Sequence, residues 1–183
     1  MRKVVAKCLR DDFSSGSMAH LRYLLYAKKA EDENFSSVAC LFRALALSRY
    51  IRAAEQYRLA SELLGAYTAC AETHFTLART IDNLERARND EKVDAEETLP
   101  AYVAVAESQG EGAAAKIFRH SVLTSHHMAV LLEDVIQKTR HAGEEPKIGQ
   151  LYVCSTCGSV SIEAAVDGCP ICGSKRTGFI NIT

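Results

Sequence analysis

Tryptophan is absent from this 183-residue chain, and proline occurs only three times. Up to about Arg140 the single proline is Pro100, so little interrupts helix formation over most of the length. Neither sign of charge is in excess: 22 Lys and Arg against 23 Asp and Glu leave a formal net charge of -1. That near-neutral balance supplies no electrostatic footprint for nucleic acid or an anionic membrane surface. No apolar run approaches the roughly 20 residues needed to cross a bilayer. The basic start, Met1 to Lys7, lacks the apolar segment of a secretion signal. These absences point to a cytoplasmic protein with no nucleic-acid or membrane partner. Its length allows one sizeable core plus a small appendage.

What the chain does have is alanine and leucine, with apolar residues recurring every three or four positions. A first helix is expected from about Asp11-Asp12 to Asp32, its apolar stripe including Phe13, Tyr23, Leu24 and Ala27. A break at Asn34 precedes a second helix, capped by Ser36-Ser37 and ended by Gly65. Residues 66–80 read as a partly helical crossover. A third helix should run from about Ile81 to Ser108, kinked at Pro100, and a fourth from Ala113 to Arg140. Two antiparallel hairpins joined by a long connection make a mainly α protein, a four-helix bundle of ferritin-like topology. Residues 1–142 are assigned to the bundle and the polar segment 143–149 to a linker. Residues 150–183 form a separate small module of strands and turns.

Seven cysteines are unusual for a chain with no sign of export, and in a reducing compartment paired cysteines bind metal or do redox chemistry. Cys8, Cys40 and Cys70 are isolated and are expected to be small buried hydrophobes. The other four form two C-x-x-C pairs, each followed by glycine: Cys154, Cys157 and Gly158, then Cys169, Cys172 and Gly173. Each pair forms a tight turn that aims backbone amides at sulfur, and the glycine permits the positive φ this needs. Four thiolates close a tetrahedral shell suited to one iron or one zinc. Such a shell has no open position, so it carries electrons with iron or braces the fold with zinc.

A helical bundle followed by this cysteine module resembles the rubrerythrin family over nearly the whole chain. The likeness rests on the run from Phe13 to Tyr23, on Phe35 and Leu41-Phe42, on Asn83-Leu84 and Pro100, on Lys116-Ile117-Phe118, and on the cysteines. It implies a rubredoxin-like C-terminal domain and a carboxylate-bridged di-iron site in the bundle. It also implies cytosolic reduction of hydrogen peroxide and a homodimer in which one chain's cysteine centre serves the other's di-iron site. Aligned on these motifs, the family's first-helix glutamate falls on Gly16, and its second-helix glutamate and histidine fall on Arg49 and Arg52. The third-helix pair survives as Glu91 and Asp94. The fourth-helix pair falls on Ser125 and Met128, or, one residue later, on His126 and Ala129.

Arginine stays protonated and offers no acceptor, so it is a very poor metal ligand. The expectation is that Arg49 and Arg52 pair with Glu91 and Asp94 in the place of the metals, and that no di-iron centre forms. A competing arrangement would gather His20, His126, Glu91 and Asp94 around one metal ion. His74, His120 and His127 are expected to be exposed or hydrogen-bonded. Tyr23 and Tyr50 are expected near the bundle centre, with Tyr152 and Phe179 filling the tryptophan-free tail module. The function expected is iron-based electron transfer with a degenerate di-iron site, fed by a reductase. An active peroxide-reducing oxidoreductase and a zinc-braced scaffold are the alternatives.

Overall fold

The computed structural model describes residues 2–71, 75–76, 78–142, 145–162 and 167–183. Helix α1 spans Arg2–Asp32, α2 Ser36–Leu64, α3 Thr80–Val93, α4 Leu99–Ser108 and α5 Gly112–Ala142. Helix α1 starts well before Asp11, because Val5 and Leu9 extend its apolar stripe and are fully buried against Leu59 and Phe118. Asp12 is therefore an interior residue of a helix, not its opening acid. Asn34 takes a left-handed conformation, φ 65°, and turns the chain into α2. The α2 N-cap is Phe35 with no side-chain cap; the first-turn N–H of Ser37 is instead bonded by the Glu145 carboxylate from beyond α5. At the other end Gly65, φ 70°, donates to the Ser61 carbonyl and stops the helix as expected.

Helix α1 packs along α2, and α3 and α4 pack along α5, and the chain between Gly65 and Thr80 links the two hairpins in sequence. No helix forms among the described residues of that crossover, and His74 lies outside them. The third bundle helix is not simply kinked at Pro100. A π turn, Asp94–Thr98, separates α3 from α4, and Pro100 sits in the first turn of α4, where its missing N–H costs little.

The tail forms a three-stranded antiparallel sheet in the order β2-β1-β3, from Leu151–Cys154 (β1), Val160–Ser161 (β2) and Phe179–Ile182 (β3). Its register sets Tyr152 opposite Ser161 and Asn181. The sheet is not an independent layer. Leu151, Val153 and Val160 belong to the same buried cluster as Tyr23, Phe42, Leu45, Met128 and Leu132. Each such fully buried side chain contributes roughly 1.5–3 kcal/mol of hydrophobic stabilisation. Within the tail, Phe179 and Ile171 pack on the cysteines, whereas Tyr152 stays half-buried outside that cluster. Some apolar expectations fail. Leu24 is 40% exposed and Tyr50 58%, because α1 and α2 turn those positions outward. Cys8 is buried, Cys40 half-buried and Cys70 exposed.

Candidate functional site

The two C-x-x-C turns are built alike. Gly158 (φ 76°) donates to the Cys154 carbonyl and Gly173 (φ 74°) to the Cys169 carbonyl, each at 2.9 Å. The Cys154 and Cys169 amides in turn reach the carbonyls of Ser159 and Ser174. Each pair of cysteines thus ends a short hydrogen-bonded loop with its sulfurs facing the other pair. Cys157 Sγ lies 3.5 Å from Cys169 Sγ, and Cys154 Sγ 3.7 Å from Cys172 Sγ. All four ligand atoms fall within 4.8 Å of one another. A metal bonded to four sulfurs at about 2.3 Å sets neighbouring sulfurs about 3.8 Å apart, so the residues present fit a tetrathiolate metal.

Ser174 Oγ stands 3.1 Å from Cys154 Sγ and 3.2 Å from Cys172 Sγ, an outer-shell hydroxyl for two ligands. A hydrogen bond from Cys157, with help from Ser174 and nearby backbone amides, holds the Cys154 thiol well below its ordinary pKa. The same shared bond, together with burial, pushes Cys157 upward. Four thiols this close cannot all ionise without a cation among them.

Inside the bundle the surviving carboxylates meet arginine. Arg49 donates from Nε to Glu91 Oε1 at 2.8 Å, and its Nη2 lies 2.6 Å from the same oxygen. Its Nη1 donates to Asp94 Oδ2 at 2.6 Å. Tyr23 Oη adds a third donor to Glu91 Oε1 at 2.9 Å. Glu91 is wholly buried and Arg49 nearly so. Burial works against the Arg49 charge, but the Glu91 and Asp94 carboxylates outweigh it and hold the guanidinium's pKa well above its usual value. Burial first, and then the Glu91 charge, raise Tyr23 likewise.

Arg52, one turn on, is held differently. Its Nη1 donates to Ser125 Oγ at 2.8 Å, and Nη2 comes only within 3.5 Å of Glu91 Oε2. Burial and repulsion from Arg49 lower its pKa. Of the two fourth-helix pairs, Ser125 and Met128 are fully buried, whereas His126 is exposed and Ala129 half-buried. Gly16 faces Ala53 and the Arg49 carbonyl across the α1–α2 contact.

The mononuclear arrangement does not assemble. His126 is exposed beside Arg88 and Lys92, and His20 turns to the outer face of the α1–α2 pair. There its Nδ1 lies 2.8 Å from the Ala46 carbonyl, with its ring 5.8 Å from that of Tyr50. Helical phase explains the failure, since neither histidine shares the inward face of Glu91. Among the described residues, the four cysteines are the one group of three or more potential ligands with converging donor atoms. His127 is exposed and His120 half-buried.

Sequence reasoning overlooked Asp12 and Gln56. Gln56 Nε2 donates to Asp12 Oδ2 in the same interior, and both side chains are buried. Burial and the Asp94 charge push Asp12 up to about 7, against the pull of Arg52, Arg49 and Gln56. The available signal was its position four residues before Gly16, on the same helical face.

A rubrerythrin family model matches residues 7–124. Rubrerythrin-2 of Clostridium acetobutylicum is 31% identical over 176 residues, covering 96% of this chain and 95% of that protein. The chain belongs to the rubrerythrin family. A second relative, nigerythrin of Nitratidesulfovibrio vulgaris, is 25% identical over 88% of this chain and 78% of its own length. Nigerythrin solved in a mixed-valent state superposes with a TM-score of 0.87 at 22% identity, over 97% of this chain and 86% of that one. A bacterioferritin of Mycobacterium tuberculosis superposes at 0.67 and 17% identity, over 75% of this chain and 86% of that one. Those structures share the ferritin-like fold. Within the rubrerythrin family, this member presents Gly16, Arg49, Arg52, Ser125 and Met128 to its bundle interior.

Proposed function

We propose that this rubrerythrin-family protein is an electron-transfer protein. One iron is held by Cys154, Cys157, Cys169 and Cys172, and no di-iron centre forms in the bundle. One observation carries the reading. Arg49 spans Glu91 and Asp94, each at 2.6 Å, so the carboxylates that could bridge two metals are already neutralised. A di-metal centre needs about four carboxylates from facing helices, and adding cations beside a buried guanidinium is electrostatically unfavourable. Iron is favoured over zinc because nigerythrin has also been solved in a fully reduced, all-ferrous state.

The metal would supply one-electron chemistry without an open position for substrate. The protein's own part is to hold four sulfurs in place through Gly158 and Gly173, and to set Ser174 against two of them. The reading includes a cytoplasmic setting, whose reducing conditions suit an exposed free thiol such as Cys70. It also includes a homodimer and a reductase as electron source.

Metal analysis with a visible spectrum, on full-length protein grown with excess iron, tests the proposal. The expected result is one iron per chain and a red colour that bleaches on reduction. About three irons per chain, or peroxide turnover at rates typical of a di-iron enzyme, would overturn the degenerate-bundle reading. Zinc in colourless protein would replace electron transfer with a bracing role.

A further inference from the structure

Arg49 and Arg52 stand one turn apart on α2, and Arg49 takes both Glu91 Oε1 and Asp94 at 2.6 Å, whereas Arg52 reaches only Glu91 Oε2, at 3.5 Å. Arg52 is 5% exposed, and its Nε and Nη2 make no hydrogen bond. A buried guanidinium with one long ion pair and an unbonded Nε gains from any further negative charge nearby. That charge is available on the far side of its stem.

The first cysteine turn is seated directly on α2. A Cβ at Gly158 would come 2.8 Å from the Ser48 carbonyl and 3.3 Å from Arg52 Cγ, so only glycine lets the turn approach this closely. Thr124 Oγ1 fixes the other flank by donating to the Cys157 carbonyl at 3.4 Å. Between bundle and turn lies a cavity of about 250 Å³, lined by Arg52, Lys116 and His120 on one side and by Cys157 and Cys172 on the other. Arg58, also on its wall, is engaged by Glu55 and Glu62. Lys116 is exposed and forms no salt bridge among the described residues.

Four thiolates around a divalent or trivalent cation leave a net negative centre, doubly so with the divalent ion. A fixed positive charge beside a partly dry site favours the more negative of two states. We propose that Arg52 and Lys116 are the counter-charges of the cysteine centre, raising its reduction potential and its hold on metal. A bundle position where the family has a metal ligand would thus serve the metal of the tail. The proposal rests on the reading that the four cysteines bind a metal. It concerns the centre's one-electron ferric–ferrous couple, in which the ferrous form is the more negative.

The test is a potentiometric titration, followed by visible absorption, of full-length iron-loaded wild type, Arg52→Met, Arg52→Lys and Lys116→Met. At a fixed ambient potential, Arg52→Met and Lys116→Met should each raise the ferric-to-ferrous ratio, Arg52→Met by up to tenfold. Tenfold is about 59 mV for one electron. Arg52→Lys, which keeps the charge, should stay within about twofold of wild type. A purely structural Arg52 would lower stability without moving the potential. Lys116 is exposed, so its variant keeps the proposal testable if Arg52→Met folds poorly. In protein that carries zinc, the readout is zinc release to a chelator, expected several-fold faster in both methionine variants than in wild type or Arg52→Lys. Unchanged potentials, or unchanged release, in both methionine variants would overturn the proposal. A wild type that binds no metal at the cysteines would overturn the underlying reading instead, and metal content separates the two.

Discussion

In the cysteine turns, four acid-capable sulfurs converge with a neutral serine hydroxyl between two of them; in the bundle interior, two carboxylates are already met by guanidinium and phenol. The first arrangement can ionise fully only around a cation, because four adjacent thiolates repel one another. The second is closed, because its positive charge is covalently part of α2. The contrast teaches that a ferritin-like interior can answer its buried acids with guanidinium and phenol donors. Arginine supplies the opposite charge and bonds Glu91 Oε1 and Asp94 Oδ2, while Glu91 Oε2 keeps only the long contact to Arg52.

The sharpest way to break the comparison is at the sulfurs. Cys154→Ser should cost at least tenfold in metal retention and remove amide-exchange protection from the strands at 151–154, 160–161 and 179–182, while far-UV circular dichroism keeps its helical signal. Retained metal at wild-type affinity would mean that the cysteines are not the site. Next in size, Arg49→Met strands Glu91 and Asp94, and urea unfolding should show a loss of about 3–5 kcal/mol. Adding Glu91→Gln should recover part of that loss.

A third prediction concerns pH. Asp12 has its pKa raised to about 7 in the folded chain from an ordinary 3.8. Its favourable contribution is therefore complete below about pH 3.8 and is lost as pH rises through 7. Asp12→Asn should make the protein more stable at pH 8 by roughly 4 kcal/mol, with little change at pH 4, as measured by urea titration at both values. The smallest effect is expected from Tyr23→Phe. It deletes one donor to Glu91, for about 1–1.5 kcal/mol, and should leave the metal content unchanged.

Much of this was legible in the residues alone. Helix α2 from Ser36 to Leu64, its stop at Gly65 and the two cysteine turns follow from local rules of capping, periodicity and glycine conformation. The inward setting of Glu91 and the charge reversal at Arg49 followed from family motifs and helical spacing. What could not be read was whatever depends on phase around a long helix or on a distant partner. Asp12 looked like a helix start because the turns before it carry few large apolar residues. His20 and His126 were candidates by residue type, yet a rotation of one position on each helix takes them to the outer faces. The different fates of Arg49 and Arg52 depend on Ser125 and on the seat of Gly158, contacts made across 73 and 106 positions of chain.

The seating of the sheet on the bundle has a practical result. Leu151, Val153 and Val160 complete an apolar cluster with Phe42 and Met128, and Glu145 caps the start of α2. A protein cut back to its helices would keep every helix-forming residue yet carry an uncovered greasy face and a fraying second helix. Dissecting this molecule into a soluble four-helix fragment and a free metal peptide would therefore yield two poorly behaved halves, since the join is itself part of the interior.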